Sequence, residues 1–340
     1  MVGNMKKVKI AMIGNWGHGS AMLGYIEKYK PEFAEITALG QISETETFDK
    51  TIETFEFLKG CPIYKDYRNL LREAKPDIAV VSTTLDKLSE AALNTAKAGC
   101  HIYAEKPIAA TPEQLAAIRQ TVEDNNQYLV FTMGNPASPQ LRAIRELYDS
   151  GKMGTLAVVN ARKSYPWNDN RVEQFPEKLG GTICWVGIHA LEFIHSATGK
   201  LFSKVTGMQS NVRSADFASC PDNVVLSFEL CDGGHASVSV DYCRPAGRPV
   251  YGDDWIRVVG TNAIAEANMS RQTLRVTDME TENLSPALPP LEEWFELLPR
   301  AVAFGEQLDR CKHLTEVAFE LNRTAIIAQK AVTTGQILEI

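Results

Sequence analysis

Several things are scarce in this chain of 340 residues, and each scarcity closes off a class of function. No stretch approaches the roughly 20 apolar residues that a membrane-spanning helix needs, so no membrane partner is expected. The opening Met1-Val-Gly-Asn-Met-Lys-Lys lacks the apolar core of a secretion signal. Lys and Arg are scattered without a basic run and the formal net charge is -7, which argues against a nucleic-acid surface and against anionic membranes. The seven cysteines are widely spaced and none forms a CxxC pair, so neither a zinc site nor a disulfide framework is expected, and no metal is assigned. Most lie in apolar runs, where a free thiol behaves as a small hydrophobe. That usage fits a reducing compartment, and a cytoplasmic location is expected. Internal repeats and low-complexity tracts are also missing.

What is present is the composition of a soluble globular protein, 44% hydrophobic and 23% charged, at a length that fits two domains. Residues 8–13 (VKIAMI) read as a strand buried on both faces. The turn Gly14-Asn15-Trp16-Gly17-His18-Gly19 follows, and then a helix over 20–29. Strand, glycine turn and helix are the context that the dinucleotide fingerprint requires. The G-x-G-x-x-G template is met at Gly14 and Gly19, but Trp16 holds its middle position and the glycine comes one residue later, at Gly17. All six turn residues are candidate cofactor contacts, with His18 either near the pyrophosphate or in solvent. A second strand covers 36–40. Where an acid would hold the ribose hydroxyls the chain has Gln41, with Glu44 three residues on and no arginine nearby for a 2′-phosphate. This favours NAD without excluding NADP.

Helices are expected over 43–58, 67–74, 86–98 and 111–125, and buried strands over 77–82, 100–104 and 128–132. Ser82, Thr83 and Thr84 end one of these strands and join the candidate cofactor contacts. Another strand ends in Glu105-Lys106-Pro107. A charged pair just past the carboxyl end of a strand is where open α/β sheets bind ligands, and the plain alternative is a surface lysine. The alternation predicts a doubly wound parallel sheet in a domain over residues 1–134.

Residues 135–340 read differently, as a second α/β domain with a large, mostly antiparallel open sheet. A linker at 134–139 leads to a helix over 139–150 and a long strand over 155–165. Residues 223–231 and 236–242 alternate apolar and polar around Asp232-Gly233-Gly234, which is a hairpin. Further strands are expected at 203–212, 254–260, 263–268 and 272–276, and helices at 291–309 and 314–333. Between the long strand and the hairpin lies Gly180-Gly-Thr-Ile-Cys-Trp-Val-Gly-Ile-His189-Ala-Leu-Glu192. Helical spacing would set Trp185 and Glu192 beside His189, at i−4 and i+3.

Glycine turn, Glu105-Lys106-Pro107 and Gly-Gly…Gly-Ile-His189, in that order, resemble the glucose–fructose oxidoreductase/inositol dehydrogenase (Gfo/Idh/MocA) family. The resemblance extends to Ala98-Gly99, Gly151-x-x-Gly154 and Thr333-Thr334-Gly335. It implies a Rossmann domain holding NAD(P), with Glu105 and Lys106 beside the cofactor, and hydride transfer to or from a carbohydrate-like sugar or polyol. It also implies a homodimer or homotetramer formed through the second sheet. Lys106 matches the family's lysine and His189 its histidine. Four positions depart from the pattern. Trp185 stands where an aspartate is usual, Thr84-Leu85 where Pro-Asn is usual, Leu88 where a histidine is usual, and Asn135-Pro136 near a usual arginine.

On this reading His189 is the acid/base, because its ordinary pKa suits proton transfer near neutrality, and Lys106 orients and polarises the substrate hydroxyl. Tyr165, Trp167, Arg171 and Trp185 are candidate substrate contacts, with Trp185 reading equally as packing. Two other classes stay open: a glycoside-cleaving enzyme that retains NAD for transient oxidation, and a non-catalytic NAD(H)-binding sensor. The first would turn over glycosides without net change in NADH; the second would bind NAD(H) with no turnover.

Overall fold

The computed structural model describes residues 7–166, 180–213, 220–245, 247 and 252–340. The chain divides into two compact units. One runs to Met133 and takes in Glu293–Phe319; the other is Gly134–Glu292 with Glu320–Ile340.

In the first unit the apolar runs form β1 (Val8–Ile13), β2 (Ala34–Gly40), β3 (Ile63–Tyr64), β4 (Ile78–Val81), β5 (His101–Ala104) and β6 (Leu129–Phe131). They make one sheet in the order β3-β2-β1-β4-β5-β6, paired in parallel throughout. Every residue of β4 is buried, which is why its sequence shows no polar alternation. The connections carry α1 (Ser20–Tyr29), α2 (Asp49–Thr54), α3 (Tyr67–Glu73), α4 (Leu85–Lys97) and α5 (Pro112–Asp124). Thr111 caps α5 as expected, its hydroxyl accepting the Gln114 N–H at 3.3 Å. Strand order reverses between β1 and β4, so a crevice opens at their carboxyl ends, where ligands bind in open sheets of this kind.

Three expectations need correction here. The helix read over 43–58 shrinks to α2 and a single turn at Glu56–Leu58, because residues 41–47 fold back on the glycine turn through hydrogen bonds. The two C-terminal helices are α8 (Leu297–Phe304) and α9 (Leu308–Thr334), separated where Gly305 takes a left-handed φ of 69°. The segment Glu293–Phe319 falls within the first unit, whereas the boundary expected at 134/135 left it with the second. Polar groups tie it there. Trp294 Nε1 donates to the Phe131 carbonyl at 2.9 Å, and Leu129 N–H donates to Thr315 Oγ1 at 3.1 Å. The Tyr103 hydroxyl donates to the Trp294 carbonyl at 3.0 Å and accepts the Leu298 N–H at 3.1 Å.

The second unit is a nine-stranded sheet with strands β7 (Leu156–Pro166), β8 (Phe202–Ser210), β9 (Asn223–Leu230), β10 (His235–Arg244), β11 (Trp255–Gly260), β12 (Ile264–Asn268), β13 (Thr273–Thr277), β14 (Glu282–Asn283) and β15 (Leu338–Glu339). Its order is β14-β13-β12-β11-β7-β10-β9-β8-β15, and β7–β10 is the one parallel pair among them. The sheet is mostly antiparallel, as the alternation implied. Helices α6 (Pro139–Asp149) and α7 (Ile188–Thr198) pack on each other, and α7 lies against β7 and β10. Ala236, Val238, Val240 and Tyr242 of β10 are buried, completing the period-2 pattern.

Among the described residues no helix is long and apolar enough to cross a membrane, and no three His, Cys, Asp or Glu side chains cluster as metal ligands.

One buried oxygen joins β5 to α8, so Tyr103→Phe strands both the Leu298 N–H and the Trp294 carbonyl. The expected cost is about 2 kcal/mol of folding stability. Urea unfolding should show a lower midpoint with an unchanged slope; a midpoint equal to that of wild type would refute the role given to this hydroxyl.

Candidate active site

The glycine turn owes its shape to two neighbours, one just past the end of β4 and one just past the end of β5. Ser82 accepts the Trp16 N–H on its carbonyl at 3.0 Å and the Gly19 N–H on its hydroxyl at 3.0 Å, and that hydroxyl donates to the Trp16 carbonyl. Glu105, fully buried, accepts the His18 N–H at 2.8 Å, His18 Nδ1 at 2.9 Å and the Thr132 hydroxyl at 3.1 Å. A side chain at Gly17, where φ is +84°, would place its Cβ 2.6 Å from Glu105 Oε2. The glycine displaced from the usual template position is therefore the one that the buried carboxylate requires. At Gly14, with φ of +76°, a Cβ would lie 2.4 Å from the Ser82 carbonyl oxygen.

Lys106 is 1% exposed, with Nζ 3.8 Å from Glu105 Oε1. The surface-lysine alternative is thus excluded. Burial by itself pushes the Glu105 pKa up; the charges and hydrogen bonds of His18, together with the Lys106 ammonium, outweigh it and hold the carboxyl down at about 2. His18 is solvent-exposed, as one of the two readings had it, and is nonetheless tied to the turn, since both its N–H and its ring face Glu105.

Beside the end of β2 the two nearby acids are placed differently. Glu44 is exposed, whereas the Glu46 carboxylate accepts the Ile42 N–H at 2.6 Å and the Asn15 N–H at 3.1 Å. The Gln41 side chain donates to the Glu46 carbonyl, and the Asn15 side chain donates to the Thr47 carbonyl. Thr83 is buried and Thr84 precedes α4 as its N-cap residue. No periodicity marks Glu46; only the folded loop brings it back.

In the second unit His189 sits in the first turn of α7, 5% exposed. The turn before it, Ile183–Gly187, is a π turn rather than a regular α-helical one. Trp185 is buried within that turn. Glu192, also buried, is linked to His189 through Asn135, whose Nδ2 donates to Glu192 Oε2 at 2.6 Å and lies 3.4 Å from His189 Nδ1. Asn135 was visible in the sequence only as the residue near the family's usual arginine.

Tyr165 lies on β7 beneath the Lys163 ammonium, which is 5.0 Å from the ring centroid and 2.7 Å from Asp254 Oδ2. The same ammonium is 5.7 Å from the Phe193 ring, one helical turn beyond His189. Burial pushes the Lys163 pKa down, but Tyr165 and Asp254 more than compensate and leave it raised. The signal for Lys163 was a charged residue in phase with the inward positions Val159 and Ala161 of β7. Trp167 and Arg171 lie outside the described residues.

The depressed Glu105 pKa has a pH consequence. A carboxyl more acidic in the folded state than its unfolded value of about 4.3 stabilises the protein fully above that value, and the contribution is lost as pH falls towards 2. Wild type should lose about 3 kcal/mol from this group between about pH 5 and about pH 2. Glu105→Gln should lack that part of the acid dependence in urea-unfolding series. Parallel pH profiles for the two proteins would overturn the assignment.

Residues 8–133 match the model of an oxidoreductase family with an NAD-binding Rossmann fold, and residues 141–266 match the GFO/IDH/MocA C-terminal domain. The uncharacterized oxidoreductase YrbE of Bacillus subtilis is 26% identical over 218 residues, which span 62% of this chain and 61% of that protein's length. Inositol 2-dehydrogenase of Rhizobium meliloti is 22% identical over 258 residues, 75% of this chain and 74% of that one. A solved structure from Thermotoga maritima, provisionally assigned as an oxidoreductase, superposes with a TM-score of 0.88 at 29% identity, covering 98% of this chain and 100% of its own. With both halves matched in order, and with the parallel sheet and the mostly antiparallel sheet each in place, the chain belongs to the Gfo/Idh/MocA oxidoreductase family.

Proposed function

We propose that this protein transfers a hydride between NAD and a hydroxyl or ketone carbon of a sugar, polyol or related compound. The observation that carries the proposal is Lys106, a buried cation at the carboxyl edge of the parallel sheet, beside the carboxylate that shapes the glycine turn. Burying an ammonium is costly, and a substrate oxygen that gains negative charge beside it offsets part of that cost.

The turn fits a dinucleotide. It lies at the switch point of the sheet, and its glycines bring backbone close where side chains would collide. Glu46 supports NAD over NADP, because a 2′-phosphate near the end of β2 would meet its carboxylate. Bound nicotinamide supplies or accepts the hydride. The chain's own residues manage the proton and the oxygen: Lys106 orients the reacting hydroxyl and stabilises it as an alkoxide, and His189 exchanges its proton. Tyr165 offers an aromatic face to the ring or chain of the substrate. The name of the inositol dehydrogenase relative makes cyclic polyols the first compounds to try.

The test is turnover, followed by nicotinamide absorbance, across a panel of polyols and sugars. On the compound that wild type uses best, Lys106→Ala and His189→Ala should each lower kcat/KM by roughly 100-fold or more. Activity within a few-fold of wild type in either variant would remove that residue from the reaction.

A further inference from the structure

We propose that Asn135 and Glu192 hold the neutral His189 ring in the tautomer that carries its proton on Nε2. The inference rests on the reading of His189 as an active-site group and narrows what that group presents. All three residues belong to the second unit. Asn135 opens the turn at Asn135–Ala137, and Glu192 follows His189 by three residues on α7, so two positions of one helix meet a single amide from a separate segment.

The hydrogen bonding has a direction. Asn135 Nδ2 lies 2.6 Å from Glu192 Oε2, and the reverse placement of the amide would set two oxygens at that distance. The nitrogen end therefore faces the carboxylate. An amide nitrogen carries two hydrogens and accepts none, so its second hydrogen meets His189 Nδ1, 3.4 Å away. Nδ1 has to be the acceptor. Neutral imidazole has one N–H and one lone pair, and the proton is then on Nε2. A carboxylate in place of the Asn135 amide would do the opposite: it would accept Nδ1–H and leave Nε2 with the lone pair.

The chemical consequence is that a substrate oxygen arriving at Nε2 meets a hydrogen-bond donor. That arrangement polarises a carbonyl and supports an alkoxide. This is the tautomer of the resting ring: the proton exchange proposed for His189 at Nε2 requires the ring proton to move first to Nδ1, against the N–H of Asn135. Asn135 and Glu192 act here as positioning residues, through the histidine.

The measurement is 15N NMR of the full-length protein carrying 15N only at histidine Nδ1, at a pH above the ordinary histidine range. Loss of one of the six histidine signals in His189→Gln identifies the resonance. In wild type the His189 Nδ1 signal should fall far downfield, where unprotonated ring nitrogens resonate. The double variant Asn135→Asp, Glu192→Gln exchanges the two groups. Its amide at position 192 can donate to its carboxylate at position 135, and that carboxylate can accept from Nδ1–H, so the signal should move upfield to the N–H position. A wild-type signal already at the N–H position overturns the proposal, and so does a downfield signal that persists in a folded double variant. The readout needs no turnover. An active His189→Ala protein combined with a downfield wild-type signal would reject the catalytic role and leave the tautomer standing, and the reverse combination would do the opposite.

Discussion

Placing the Glu105 carboxylate wholly inside the first unit constrains everything around it. A buried charge must be answered by hydrogen bonds or by opposite charge, and Glu105 has both: the N–H and ring of His18, the hydroxyl of Thr132 and the ammonium of Lys106. These partners come from the glycine turn after β1, the end of β6 and the residue after Glu105 itself. The carboxylate thereby ties together the carboxyl edge of the sheet, where its strand order reverses. It also dictates composition, because no residue with a side chain fits at position 17.

The second unit follows the same rule with different chemistry. Lys163 enters the sheet interior with Asp254 as its counter-ion and Tyr165 beneath it, and Glu192 enters with the Asn135 amide as donor. In each case an ionisable group sits on the side of β7 or α7 where apolar residues otherwise pack. Trp185 stands at the position of the family's usual aspartate, and Asn135, which arrives from another segment, faces His189 Nδ1.

Much of the architecture was legible because burial imposes periodicity on the residues that make it. The unbroken apolar run of β4 and the strict alternation of β9 and β10 state which sheet is covered on both faces and which on one. Short elements carried no such signal. β3, β14 and β15 have two residues each, too few for a period, and exist because a neighbouring strand offers them a ladder. The segment around Trp294 read as helix of the second domain; its place in the first unit is decided by the indole and by the Tyr103 hydroxyl, groups that patterns of hydrophobicity pass over.

Glu105-Lys106-Pro107 illustrates the division. Sequence alone determined that a lysine follows a buried strand at the edge where ligands bind, and that a glycine-rich turn precedes it in the chain. Whether that lysine faced water or the interior was undecided, since both fit the same letters. Tertiary structure settled it by bringing His18 and Thr132 to the Glu105 carboxylate, from 87 and 27 residues away. Glu46 and Asn135 reach their partners in the same way. The physical reason is common to all three: a polar side chain is buried only where donors and acceptors converge on it, and such convergence joins segments whose separation along the chain carries no period to read.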